Sequence, residues 1–351
     1  MRPLNTRLLR LCILAPCLFN TFAVLADEER WYRVELLIFS QDSQAARTSE
    51  VWEPTPVLQY PEDGRFLIDS GAVDDRSSQY DGSSKLNALG HQTITITLPE
   101  PVIDMEELSA PSTSVPANGP PLPAEVSELL PETNFPEVIA TTPSPYLLLP
   151  QGELEFRGKA AYMQRTGRYQ TLFHETWVQP MFSKSETAPI IIDRSGDTQT
   201  WPELQGSVKL YLSRYLHIET NFWLNTDGSY LPGQWKMPAP PLSPSSLTII
   251  YPPEPVPDPN EVVLIEALPA IDSMMEEQQE EVMAKVPLGP VYPWRHAILL
   301  QQERRMRSTE VHYIDHPMMG VVVKISPLTK EELQERADTE AAQSHALSAN
   351  T

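Results

Sequence analysis

The chain has 351 residues, with 26 lysines and arginines against 47 aspartates and glutamates, a net charge of −21, 36 prolines and two cysteines. That acidity excludes a general electrostatic grip on nucleic acid or on an anionic membrane, both of which need a basic surface. Fourteen glycines leave little room for phosphate-cradling loops.

In chain order, Arg2, Arg7 and Arg10 precede the apolar run "LCILAPCLFNTFAVL", and Val24, Leu25 and Ala26 stand before Asp27. Basic, apolar and small-residue regions in that order predict a secretory signal peptide over residues 1–26. The apolar run is shorter than the roughly 20 residues that span a bilayer. Pro16 before Cys17 makes a poor lipid-attachment site, so no membrane anchor is expected after cleavage. Removing residues 1–26 takes away three arginines and no acid, leaving 23 basic against 47 acidic side chains, or −24. Cys12 and Cys17 leave as well, so the exported chain has no disulfide, thiolate ligand or cysteine nucleophile. A bacterial periplasm is the expected compartment.

"RWYRVELLIFS" (30–40) alternates Tyr32, Val34, Leu36 and Ile38 on one face and carries Leu37 and Phe39 on the other, which predicts a central strand apolar on both sides. "HQTITITLP" (91–99) predicts a second strand. Twelve prolines then fall in residues 99–150 and fourteen in 232–293. Proline lacks the N–H and fixes φ, so both stretches read as acidic, extended insertions, with "MEEQQEEVMAKV" (275–286) as a short helix in the second. Between them, residues 152–166 predict a helix closed by Gly167, and Tyr169 to Val178 a strand. "LQGSVKLYLSRYLHIETNFWLN" (204–225) keeps one apolar parity and predicts one bent strand or two closely joined ones.

The last block, "WRHAILLQQERRMRSTEVHYIDHPMMGVVVKI", predicts a strand before the arginines and then a hairpin turning at Asp315 to Gly320. Thr329 and Glu332 form a capping box for an exposed C-terminal helix or tail over 328–351. The fold class that follows is α+β, a mainly antiparallel sheet with a packed helix, interrupted by long proline-rich insertions. It is expected to be a single core domain over 27–327.

Catalytic signatures are absent from the sequence: there is no G-x-S-x-G, no H-E-x-x-H and no S-x-x-K with K-T-G. No cofactor is expected. His312, Asp315 and His316 have the donor types of a metal site, yet strand parity sends His312 and Asp315 to opposite faces, and Asp315 is expected to cap the turn. Glu155, Glu175 and Glu219 lie in ordered blocks with nothing to pair them as a glycosidase would require.

The arginines are more informative. Arg305 and Arg307 share strand parity at about 7 Å while Arg304 faces the other side, and guanidiniums on one face clamp a carboxylate. Arg214 falls on the apolar parity and so must sit at a bend or be paired.

"RWYRVELLIFS", "YQTLFHETWVQP", "LQGSVKLYLSRYLHIETNFWL" and "RRMRSTEVHYIDHPMMGVVVKISP" together resemble the CsiV family of periplasmic peptidoglycan-binding proteins. The resemblance implies a non-enzymatic role in which the protein binds peptidoglycan. It also implies support for a class A penicillin-binding synthase acting with its outer-membrane lipoprotein activator. It supplies no ligand residues. The residues themselves offer Arg304, Arg305, Arg307 and Arg214 for stem-peptide carboxylates, and aromatics such as Tyr215 and Trp223, with Trp177 and Tyr211, for sugar faces. An adaptor that works through proline-rich arms without touching glycan is the other expectation.

Overall fold

The computed structural model describes residues 30–41, 47–48, 52–97, 142–253 and 291–348. The signal peptide, most of the first insertion and the 275–286 helix lie outside the described residues. Among the described residues no helix is long and apolar enough to cross a membrane.

Two sheets pack face to face. The four-stranded sheet has the order β11-β12-β1-β5, with β1 (Trp31–Gln41), β5 (Tyr169–Pro180), β11 (Val311–His316) and β12 (Met319–Pro327) all antiparallel. The five-stranded sheet has the order β10-β8-β7-β6-β2. It comprises β2 (Arg65–Phe66), β6 (Ile190–Ile191), β7 (Leu204–Leu212), β8 (Leu216–Thr226) and β10 (His296–Met306), with only β2 and β6 parallel. Between the sheets Val34, Leu36 and Ile38 of β1 join Trp177, Val321 and Val323, and meet Val208, Ile218, Phe222 and Leu300 from the opposite sheet in one core. Fully burying each such side chain contributes about 1.5–3 kcal/mol.

The other face of β1 explains why the strand is apolar on both sides. Leu37 and Phe39 pack against Phe156 and Ala160 at the start of a helix, Arg157–Arg165. That helix stops where Thr166 and Gly167 donate to the Met163 and Gln164 carbonyls, and Gly167 takes φ 71°, which costs a glycine little. On the same face, a Cβ at Gly320 would lie 2.3 Å from the Phe39 ring; the bare backbone there lets Phe39 and Tyr313 lie parallel at 6.4 Å.

We number the helices α1 (Ser70–Ser78), α2 (Arg157–Arg165), α3 (Ser195–Thr198, a single turn) and α4 (Lys330–Ser348). The Thr329/Glu332 capping box opens α4. This helix is less exposed than its sequence predicts. Leu333 packs on Trp31 and Val178, and Arg336 bonds Glu153 at 2.7 Å. The architecture is α+β with two main sheets where one was expected, because the five-stranded sheet covers the face of β1 that the helix leaves bare.

The second proline-rich stretch needs correcting. Residues 235–250 are not the spacer that their prolines predict: they fold onto the outer face of the five-stranded sheet. There Trp235, Met237 and Trp294 surround Trp223 and Ala297. Pro240 accepts from the Trp201 indole at 2.7 Å. Just beyond, β9 (Leu247–Ile250) runs parallel to β4 (Gln92–Ile96), which pairs in turn with β3 (Gly82–Leu86), making a three-stranded sheet. Proline limits where a strand can run, yet four apolar and β-branched residues free of it suffice for a ladder.

His296 sits in this cover at 1 % exposure, its ring 5.3 Å from Trp235. Its Nε2 lies 2.8 Å from the Glu53 carbonyl, which can only accept, so that nitrogen carries the proton. Burial pushes its pKa below the ordinary histidine value, and the bond to Glu53 only partly opposes this. The unfolded chain therefore binds the extra proton first. The stability that His296 contributes is complete above about pH 6.5 and is lost as pH falls through the lower folded value. Urea unfolding of parent and His296→Gln between pH 8 and pH 5 checks this: the parent loses more stability across that range than the variant. Equal losses in the two would count against it.

Candidate functional site: the outer face and tip of the five-stranded sheet

β7 and β8 form a tight hairpin through Ser213, Arg214 and Tyr215, with Ser213 donating to the Tyr215 carbonyl at 3.0 Å. The chain makes two strands, and Arg214 falls at the bend between them, so its charge is not buried. The register of β7, β8 and β10 sets side chains on the outer face in rows: Ser207, Asn221 and Gln301; then Lys209, Glu219 and Glu303; then Tyr211, His217 and Arg305. The first two rows floor a groove of about 900 Å³, which residues such as Gln59 and Glu62 close on its other side.

The row of Glu219 and Glu303 is already neutralised in part by Lys184, whose ammonium lies 3.0 Å from each carboxylate. The Tyr211 hydroxyl also donates to Glu303. The Tyr211 and Lys184 hydrogen bonds hold the Glu303 carboxyl below the usual carboxylate range. The hydrogen bonds that Lys184 makes to Glu303 and Glu219 push its ammonium up.

The arginines sort by partner. Arg295 donates to the Trp235, Gly228 and Gly233 carbonyls and ties down the cover. Arg307 lies past the end of β10 and reaches Glu310 at 3.4 Å, an exposed pair worth little. Arg304 bonds Gln302 at 2.9 Å. Arg305 and Arg214 both lie against the Tyr215 ring, at 4.6 and 5.5 Å from its centroid. Among the described residues Arg214, Arg304 and Arg305 have no carboxylate partner.

A second polar cluster went unread in the sequence. Glu35, 2 % exposed on the helix side of β1, accepts from the backbone N–H of Glu155 and Phe156 at 2.9 and 2.8 Å and lies 2.9 Å from Nε2 of His174. It satisfies the donors at the start of α2, where negative charge also suits the helix dipole. Glu155 itself pairs with Arg33 and Lys324. Every member of the cluster is engaged with another, so we read it as the mount of α2.

Comparison with known proteins decides the family. A family model described as "Peptidoglycan-binding protein, CsiV" matches residues 8–328. The chain belongs to the CsiV family. No curated protein and no solved structure matches it.

On this CsiV-family scaffold the site residues chosen from sequence divide. Arg214, Tyr215 and Arg305 come together from the β7–β8 turn and β10. Arg304, opposite Ile218 in the ladder, turns to the other face of β10 and bonds Gln302, whereas Arg307 is drawn off to Glu310. Trp223 is a correction. It is wholly buried, its indole donating to Gln205 at 3.1 Å and its ring 4.8 Å from Tyr60, and it offers no face to a sugar. Trp177 and Tyr211 are buried too.

The hairpin residues His312, Asp315 and His316 each have a separate partner. His312 contacts the backbone of Arg307, Asp315 accepts from the Tyr313 hydroxyl, and His316, not Asp315, holds the turn by accepting from the Met318 N–H. Among the described residues no three histidine, aspartate, glutamate or cysteine side chains gather to hold a metal.

Proposed function

We propose that this chain is a periplasmic, non-enzymatic protein that binds peptidoglycan through the outer face and Arg214–Tyr215–Arg305 tip of its five-stranded sheet. In doing so it supports cell-wall synthesis by a class A penicillin-binding synthase and its outer-membrane lipoprotein activator. Membership of a family described as peptidoglycan-binding supports the ligand. The observation that carries the location is that, in a chain of net charge −21, two exposed guanidiniums share one tyrosine and have no carboxylate partner among the described residues. Placing basic groups at the contact is what an acidic protein needs in order to approach an anionic polymer.

Pelleting with isolated sacculi tests the reading. The parent protein is expected in the pellet, and Arg214→Ala/Arg305→Ala largely in the supernatant. Arg307→Ala, which removes a guanidinium already paired with Glu310, should pellet like the parent. A parent that stays in solution would sink the binding itself, and a double variant that pellets fully would sink the location.

One observation favours a second reading, an adaptor acting through the proline-rich arms. β4 and β9 run parallel with Thr95 opposite Ile250, so the two insertions leave the domain from neighbouring points. Deleting residues 100–145 separates the readings: an adaptor loses its envelope partner, while sacculus binding persists.

A further inference from the structure

We infer that the group recognised at the tip is a carboxylate of the peptidoglycan stem peptide, held by Arg214 and Arg305, and that the glycan is not what the site reads. This rests on the proposed peptidoglycan binding and adds which part of the polymer is bound. Peptidoglycan presents two chemistries, uncharged sugar faces and short peptides that carry free carboxylates. A site for sugars needs aromatic faces open to solvent beside its polar groups. A site for carboxylates needs guanidiniums that are accessible and not already paired.

The aromatic candidates fail that test. Among the described residues the single aromatic lining the groove is Tyr60, 9 % exposed, which lies against Trp223 and donates to Asp193. Tyr211, in the row of Arg305, is stacked on His217 at 4.9 Å, and Lys184 stands 5.3 Å over its ring. Tyr215 is exposed, but its ring is where both guanidiniums rest. An aromatic beneath a guanidinium positions it without consuming its N–H donors, so the donors stay available to a ligand.

The neighbouring row explains why these arginines stay open. Glu219 and Glu303 are the nearest acids in register, and Lys184 and Tyr211 engage them. Glu303 and Arg305 are two residues apart on one strand face, about 7 Å. With Lys184 on the acids, the arginines keep no counter-ion among the described residues. Beyond lies the groove, where Asn221 donates to the Gln59 carbonyl and accepts from the Gln301 amide, so its floor is already hydrogen-bonded and the clamp is the part left open.

The test uses the full exported chain and two soluble probes: a synthetic stem tetrapeptide with free carboxylates, and chitohexaose as uncharged glycan. Calorimetric titration is expected to show binding of the tetrapeptide, which should also displace the protein from sacculi. Arg305→Ala and Arg214→Ala should each weaken the tetrapeptide about tenfold, as should amidation of its carboxylates, whereas Arg305→Lys, which keeps the charge and loses the fork, should fall between. Chitohexaose should neither bind nor compete. Competition by chitohexaose alone, or by neither probe while sacculi still pellet the protein, would overturn this inference and leave peptidoglycan binding standing. Failure of the parent to pellet with sacculi would remove both.

Discussion

Trp223→Ala is expected to lower the unfolding free energy by about 4 kcal/mol, the usual cost of emptying a large aromatic site in a core. The ring is fully buried, packs on Tyr60, and donates to the same Gln205 oxygen that accepts from Asn225 at 2.9 Å. Removing it opens a cavity and disturbs a network that joins Gln205, Asn225, Tyr60 and Asp193 beneath the proline-rich cover. Urea unfolding measures the loss. Sacculus pelleting at a temperature where both proteins are folded should not distinguish the variant from the parent. A variant of parental stability that no longer pellets would return Trp223 to the ligand site.

Glu35→Ala is expected to cost about 3 kcal/mol, because two backbone N–H groups and His174 lose their shared acceptor inside the protein. Glu35→Gln keeps one acceptor oxygen and should cost less. The local signature is faster amide exchange at Glu155 and Phe156, ahead of global unfolding. Parental stability of Glu35→Ala would show that the carboxylate merely balances its neighbours and does not mount α2.

Glu35 also shows where the sequence stopped being legible. The strands β1, β7 and β8 could be read from alternation, because each lays a face on a core whose demand for apolar side chains repeats every second residue, while β5 could be read from its aromatic and β-branched content and β11 and β12 from the turn between them. A single acid on the far side of such a strand looks like a solvent-facing residue. Only the arrival of a helix start more than a hundred positions away makes it an acceptor.

The cover over Trp223 was hidden for another reason. Proline density reports what a segment cannot form and says nothing of what it can lie against, so Met237 and Trp235 were passed over. The candidate site was half legible. Charge singled out the arginines, but the meeting of Arg214 with Arg305 depends on the β8–β10 register, which no local pattern encodes. The aromatics were misjudged because strand parity says which face a ring is on and not whether that face is covered.

The first described strand, β1, sits between β5 and β12, and β12 is the last described strand. A chain that emerges N-terminus first therefore presents β1 long before either neighbour exists, and β12 completes the sheet only when residues 319–327 arrive. Loop closure over almost the whole domain precedes the reward, so the four-stranded sheet is completed last. The same order sets a limit on truncation, since a chain ending before Met319 leaves β1 an open edge and forfeits the shared core of both sheets.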